Sequence, residues 1–299
     1  MKYEEFVVGV KECIKRKKGE EVRIYINHIR QNNGGNSDSI CLLSAGENVT
    51  PAIGLEQFYQ MACQGFSIEA VCDEILRYYQ HYQQEKELDT SFFTEYSRSR
   101  ERIVCRLIHH QKNQELLSEI PHIPFLDLAV VYYYLMDEDA FCDGAILVQN
   151  PHLDMWGITQ SELHDQALKN TVRLLPCEFI SMQDLLCQLT GLRIFDEETE
   201  HFPMYVLTNE KKSFGAVYIL YGDILETVFE KIGEDFYILP GSVHECILVP
   251  VSVDMDETDL CHLVREVNEN QVIPEERLSD SVYRYYHSGK CLCIASAGV

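Results

Sequence analysis

A chain of 299 residues with 46% hydrophobic side chains can bury a substantial core, which excludes global disorder. Charge excludes more: 25 Lys and Arg face 48 Asp and Glu, a formal net of -23. So acidic a surface repels phosphate backbones and anionic lipid, so neither direct nucleic-acid binding nor membrane binding is expected.

The first helix carries one apolar stripe, Phe6, Val7, Val10, Cys13 and Ile14. Lys15 to Lys18 then sit where cations favour the helix dipole, and Gly19 ends the helix. Four charges are fewer than a typical basic arm, so this run reads as a solvated helix end. Met1 to Glu20 lacks the apolar stretch of a signal peptide, and no run approaches the roughly 20 apolar residues of a membrane span. A cytoplasmic chain is expected. Val22 to Ile29 and Ser39 to Leu43 flank the turn signal Asn32-Asn33-Gly34-Gly35 and read as a hairpin. A second helix opens at Ser67, with Ile68, Val71, Cys72, Ile75, Leu76 and Tyr79 as its stripe.

His109-His110 reads as a strand end, and Ala129 to Leu135 as a strongly apolar strand. An acidic loop, Asp137 to Asp143, and the strand Ala145 to Val148 follow. His122 and His152, each beside a proline, read as loop residues, and Trp156 as part of the approach to the next helix. That helix opens with a capping box, Thr159 and Glu162, and a staple of Ile158 onto Leu163. Ser181, with Ile180 and Leu185, repeats the staple, and Gly191 closes that helix. The acid-rich stretch Leu192 to Pro203 reads as a linker, which gives modules 1–195 and 196–299.

Later strands are expected over Met204 to Leu207, Ala216 to Leu220, Phe236 to Leu239, Cys246 to Val251, Val282 to Tyr286 and Cys291 to Ile294. Helices are expected from Asp223 to Ile232 and after the cap Asp256, with Leu260, Leu263, Val264 and Val267 buried. Pro240-Gly241-Ser242 and His287-Ser288-Gly289 turn hairpins. Strand, strand, helix recurs. The expectation is an α+β protein with mixed or antiparallel sheets and helices packed on one face.

The cysteines are scattered singly, as at Cys72, Cys105, Cys187, Cys246 and Cys261, the usage of reduced, buried thiols. Cys291 and Cys293 share one face of a strand, but no second Cys/His pair at zinc spacing follows. No phosphate-binding glycine loop and no Gly-x-Ser-x-Gly elbow occurs. His244-Glu245 begins like a zinc-protease helix, but Leu248 stands where the second His belongs. Asp254-x-Asp256 could touch a metal, yet Asp256 is better explained as a cap. No metal or cofactor is expected.

Three constellations remain: Leu239 to Glu245, Arg265 to Gln271 and Leu278 to Tyr283. Together they offer a candidate pocket of His244, Glu245, Arg265, Asn268, Asp280 and Tyr283, in which a His and a carboxylate could do acid–base work. The plain structural reading is a turn, a helix end and a strand start. The leading expectation is a non-catalytic interaction or binding protein with a protein partner. An enzyme or small-ligand module using that pocket is the alternative, and an acidic nucleic-acid mimic is the third.

Pro121-His-Ile-Pro-Phe-Leu-Asp-Leu128, Phe236 to Glu245, Val267 to Glu275 with Leu278 to Tyr283, Phe92-Phe93-Thr94 and Trp156 to Leu163 together resemble a family of acidic proteins from anaerobic gut bacteria, known as a domain of unknown function. The helix at Thr159 followed by the Pro240 hairpin is distantly similar to the bacterial YtpQ family. The resemblance covers nearly the whole chain and implies no activity, cofactor or active-site residue. Gly241 stands where that family pattern is expected to carry Ser.

Overall fold

In the computed structural model the described residues are 1–19, 22–30, 32–44, 50, 52–83, 91–136, 145–191 and 203–296. The expected loop 137–143 and most of the expected linker, 192–202, lie outside them. The chain divides into two compact units, Met1–Thr90 and Ser91–Val299.

In the first unit α1 (Tyr3–Lys18) precedes the hairpin of β1 (Arg23–Arg30) and β2 (Asn36–Leu43). β3 (Ala52–Gly54), α2 (Glu56–Cys63) and α3 (Ile68–Gln83) follow. The sheet is antiparallel, in the order β1-β2-β3. Period-2 alternation turns Ile24, Ile26, Ile40 and Leu42 to one face, where they meet the apolar stripes of α1 and α3. Phe6, Val10 and Ile14 of α1 and Val71, Cys72 and Ile75 of α3 are 0% exposed. Burying each such large side chain stabilises by about 1.5–3 kcal/mol. The basic run is a helix end as expected, and Arg16 pairs with Glu69 at 3.0 Å and Lys17 with Asp73 across to α3.

The second unit holds two antiparallel sheets. In one, β6 (Leu128–Leu135) pairs on one side with β4 (Ile103–His109) and on the other with β5 (Ile123–Phe125) and β7 (Ala145–Leu147). Two helices follow, α4 (Asn150–Trp156) and α5 (Gln160–Leu174), the latter with its Thr159 capping box. The other sheet is built from β8 (Cys177–Ser181), β9 (Tyr205–Asn209), β10 (Phe236–Leu239), β11 (Cys246–Pro250), β12 (Val282–Tyr286) and β13 (Cys291–Ser296). Its order is β13-β12-β10-β11-β9-β8. The helices α6 (Met182–Thr190), α7 (Gly222–Ile232) and α8 (Glu257–Asn270) are interleaved with its strands.

Cys105, Leu107 and Tyr132 of the smaller sheet share one core with Leu207, Phe236, Ile238, Leu248 and Tyr283 of the larger. On the opposite face of the larger sheet, Tyr237, Leu239, Val249 and Val282 pack on Leu260, Cys261 and Val264 of α8. The protein is therefore α+β, with all observed strand pairs antiparallel.

Two expectations are corrected, on residues 216–220 and on His152 with Trp156. Ala216 to Leu220 is no strand but part of a 3-10 helix, Gly215–Leu220. Ala216, Val217 and Tyr218 are 0% exposed, and a short run buried on every side carries no alternation to tell strand from helix. The division at 195 falls between β8 and β9, which pair from Cys177↔Asn209 to Ser181↔Tyr205. The compact units part between residues 90 and 91. Trp156 and His152 lie in a helix of their own, α4, which Gly157 ends at φ 65. There the indole Nε1–H donates to the Phe93 carbonyl at 2.8 Å.

Candidate functional site

Residues 240–245 join β10 to β11 and are laced to the segment beyond α8. Leu278 N–H donates to Gly241 O, Ser279 N–H to Pro240 O and Val243 N–H to Glu276 O, each at 2.9 Å. Ser242 Oγ accepts from the His244 N–H at 2.9 Å. His244 lines a cleft of about 270 Å³ with Lys212, Ser242, Glu245, Gln271, Val272 and Glu276.

The His244 ring is engaged at both nitrogens. Nδ1 accepts from the Phe214 N–H at 3.4 Å, and Nε2 lies 3.3 Å from Glu276 Oε1. A backbone donor at Nδ1 assigns the proton of the neutral ring to Nε2, where it faces the carboxylate. Phe214 lies nearly parallel to the imidazole, 18° between planes and 6.3 Å between centroids. Lys212, across the cleft, pairs with Glu178.

A second polar network lies behind the loop. Asp127 follows Leu126, whose φ of 54 makes the tight turn between β5 and β6. Its carboxylate accepts from Ser279 Oγ at 2.6 Å, from Ser281 Oγ at 2.9 Å and from the Tyr283 hydroxyl. Those three donors are buried, at 1%, 5% and 0% exposure. Burial, with the carboxylate of Asp127 second, pushes the Tyr283 phenol well above its ordinary range, which keeps it a donor. Asn268 Nδ2 donates to Ser279 O at 3.0 Å and to Asp280 Oδ1 at 2.6 Å, and Lys112 stands 3.6 Å from Asp280 Oδ2. A Cβ at position 241 would come within 2.9 Å of Asn268 Oδ1, which is why glycine suits the place where Ser was expected.

The six candidate residues thus fall into two networks. His244 and Glu245 line the cleft. Asn268, Asp280 and Tyr283 belong to the buried network. Arg265 is half-buried on α8, three residues before Asn268. Sequence reasoning did not single out Asp127 as the hub, because its partners are 152 to 156 residues away.

Three further histidines have Nδ1 engaged in a hydrogen bond. His109 receives the Lys112 N–H at 3.2 Å, His152 the Gln149 N–H at 3.0 Å, and His164 lies 3.0 Å from the Tyr132 hydroxyl. Burial lowers the pKa of each, and Lys112 adds to the effect at His109. The folded chain therefore resists a proton that the unfolded chain accepts. Their contribution to stability is complete above the ordinary histidine value, about 6.5, and is lost as pH falls from there through the lowered folded-state values. Acidification also relieves repulsion among the acids, so the comparison is between variants. His152→Asn, which keeps an acceptor but does not titrate, should lose less stability than the wild type between pH 7.5 and 5.5 in urea titrations. Equal losses would refute the assignment.

Among the described residues no group of three or more His, Cys, Asp or Glu could hold a metal ion, and no helix is long and apolar enough to cross a membrane. The fold and its networks define an α+β protein of antiparallel sheets with polar side chains locking its loops. The chain belongs to a family of unknown function, DUF5688, whose model matches residues 3–287. No curated protein matches the chain, and no solved structure matches it. The matched stretch contains both networks.

Proposed function

We propose that this protein acts by binding rather than by catalysis, as a bacterial cytoplasmic protein whose partner is another protein. The observation that carries the reading is the His244 ring. Acid–base catalysis needs a lone pair or proton free to exchange with substrate. Here Nδ1 holds the Phe214 N–H and Nε2 faces Glu276. Ser242 has its oxygen on the His244 N–H.

The cleft supports the same reading. At about 270 Å³ it is smaller than the roughly 300–1,000 Å³ of pockets that enclose a small ligand. Lys212 beside Glu245 and Glu276 gives it both signs of charge, which suits a polar loop of a protein. The net charge of -23 favours a protein over nucleic acid or lipid.

Affinity capture from the host with the full chain, beside Gln271→Trp, tests this. A partner held by the wild type and lost with the filled cleft is expected. Turnover in an unbiased metabolite panel that disappears in His244→Ala would replace this reading with an enzyme using the same pocket.

A further inference from the structure

α1 and α3 pack side by side in the core of the first unit. Gly9 of α1 faces Ile68 of α3, whose Cγ1 and Cγ2 would lie 3.6 Å from a Cβ added at the glycine. The missing side chain lets the two helices come close. Cys13 and Cys72 are each four residues further on, so the next turn of one helix faces the next turn of the other, and the two thiols meet there. Beyond them Arg16 reaches Glu69 at 3.0 Å, and Lys17 reaches Asp73. A glycine contact on one side and two ion pairs on the other fix the position of the sulfurs. Facing positions on helices that close on a glycine bring Cβ atoms toward the separation of about 3.5–4.5 Å that a disulfide needs.

Both cysteines are buried, at 2% and 0% exposure, and both are free. Their surroundings are unequal. Arg16 Nη2 donates to Cys13 Sγ at 3.6 Å, and the Arg16 side chain is itself 64% exposed. Cys13 therefore lies one side chain beneath the surface, with the cationic neighbour that nucleophilic cysteines have. Burial, and next the hydrogen bond to Cys13, push the Cys72 thiol up, so Cys72 keeps its proton. Two other buried thiols differ. Cys105 and Cys246 are also pushed up by burial, but among the described residues neither is influenced by a cation or a second sulfur.

We propose that Cys13 and Cys72 are a redox pair, which hydrogen peroxide converts to a disulfide tying α1 to α3. The Cys13 thiolate attacks one peroxide oxygen and the O–O bond breaks. The leaving oxygen takes a proton and departs as water, and Cys13 becomes a sulfenic acid. Cys72 then attacks the Cys13 sulfur and the S–O bond breaks. The hydroxyl leaves as a second water with the Cys72 proton. Two thiols and one peroxide thus give one disulfide and two waters, with sulfur oxidised and peroxide reduced. A small thiol restores the pair by exchange. Transient bridges of this kind are the form that redox-sensing disulfides take in a reducing compartment. The pair does not depend on the reading of the His244 cleft.

Peptide mapping of the full chain tests the proposal. The folded protein is treated with hydrogen peroxide, its remaining thiols are blocked with iodoacetamide under denaturing conditions, and its peptides are read by mass spectrometry without reductant. A linked pair carrying Cys13 and Cys72 is expected, absent after dithiothreitol and absent in Cys72→Ala. Its share of all linked peptides should be at least fivefold higher than in the chain oxidised while unfolded in urea. The map of the wild type decides the matter if Cys72→Ala does not fold. The exposed Cys63, Cys291 and Cys293 report that the oxidant acts. Oxidation confined to them, or an equal share of the Cys13–Cys72 link in the folded and unfolded chains, overturns the proposal.

Discussion

Gly215→Ala should destabilise the second unit by about 3 kcal/mol, the upper end of the cost of overpacking. An added Cβ would meet the His244 carbonyl oxygen inside contact distance, Thr208 Oγ1 at 2.6 Å and Thr208 Cα at 2.7 Å. Two of these three atoms are backbone, so no rotamer change relieves the clash. The Thr208 hydroxyl is itself bound to His244 O at 2.9 Å, and movement there would break that bond. Gly222→Ala is the control. It opens α7 and its Cβ would meet nothing within 4 Å, so the variant should match or exceed wild-type stability, by up to about 1 kcal/mol. Urea unfolding of both variants checks the pair. A Gly215→Ala protein within about 0.5 kcal/mol of wild type would show that the 3-10 segment can move aside without loss.

Asp127→Ala should cost about 3–5 kcal/mol. The substitution strands three buried hydroxyls, Ser279, Ser281 and Tyr283, that share one carboxylate. Hydrogen bonds to a charged group contribute about 1.5–3 kcal/mol each, and a buried donor left unpaired costs about 1–3 kcal/mol. The three are not additive, because they share one acceptor. Tyr283→Phe removes one donor and leaves the carboxylate two, so its cost should be nearer about 1–2 kcal/mol. In the double variant the two losses should sum to more than the combined effect, by about 1 kcal/mol or more. Strict additivity would mean that the Tyr283 hydroxyl and Asp127 do not depend on each other.

Both experiments bear on why the candidate pocket divides. The stretches that suggested shared chemistry do converge, since the 240–245 loop, the end of α8 and the start of β12 are hydrogen-bonded together. Their polar groups converge on each other. Ser279, Ser281 and Tyr283 turn inward to Asp127, and His244 turns outward to Glu276. The turn residues at these positions are used chiefly to lock the chain.

Local signals sufficed for the helices with strong punctuation. Thr159 with Glu162, Ser181 and Asp256 each cap the start of the expected helix and Gly191 the end of one, because each cap acts within a turn of its own position. The stripes of α1 and α3 and the hairpin of β1 and β2 follow likewise from periodicity and one turn signal. The family resemblance was also legible, through stretches that all fall inside the matched residues.

What only the tertiary structure decided lies where local signals are silent. The segment 215–219 is buried, so its pattern is equally apolar as strand or helix, and the 3-10 helix is set by packing such as the close approach at Gly215. β8 pairs across a stretch that reads as a linker, because acidic composition says nothing about which strands flanking it meet. Asp127 acquires its role from hydroxyls 152 to 156 residues away. Arg106 reads in the sequence as one charge in an apolar strand. Its guanidinium meets the Phe214 ring only because that residue, 108 positions on, is folded against it. Periodicity and caps are short-range physics, whereas hydrogen-bond partners and ring contacts between distant elements are set by packing.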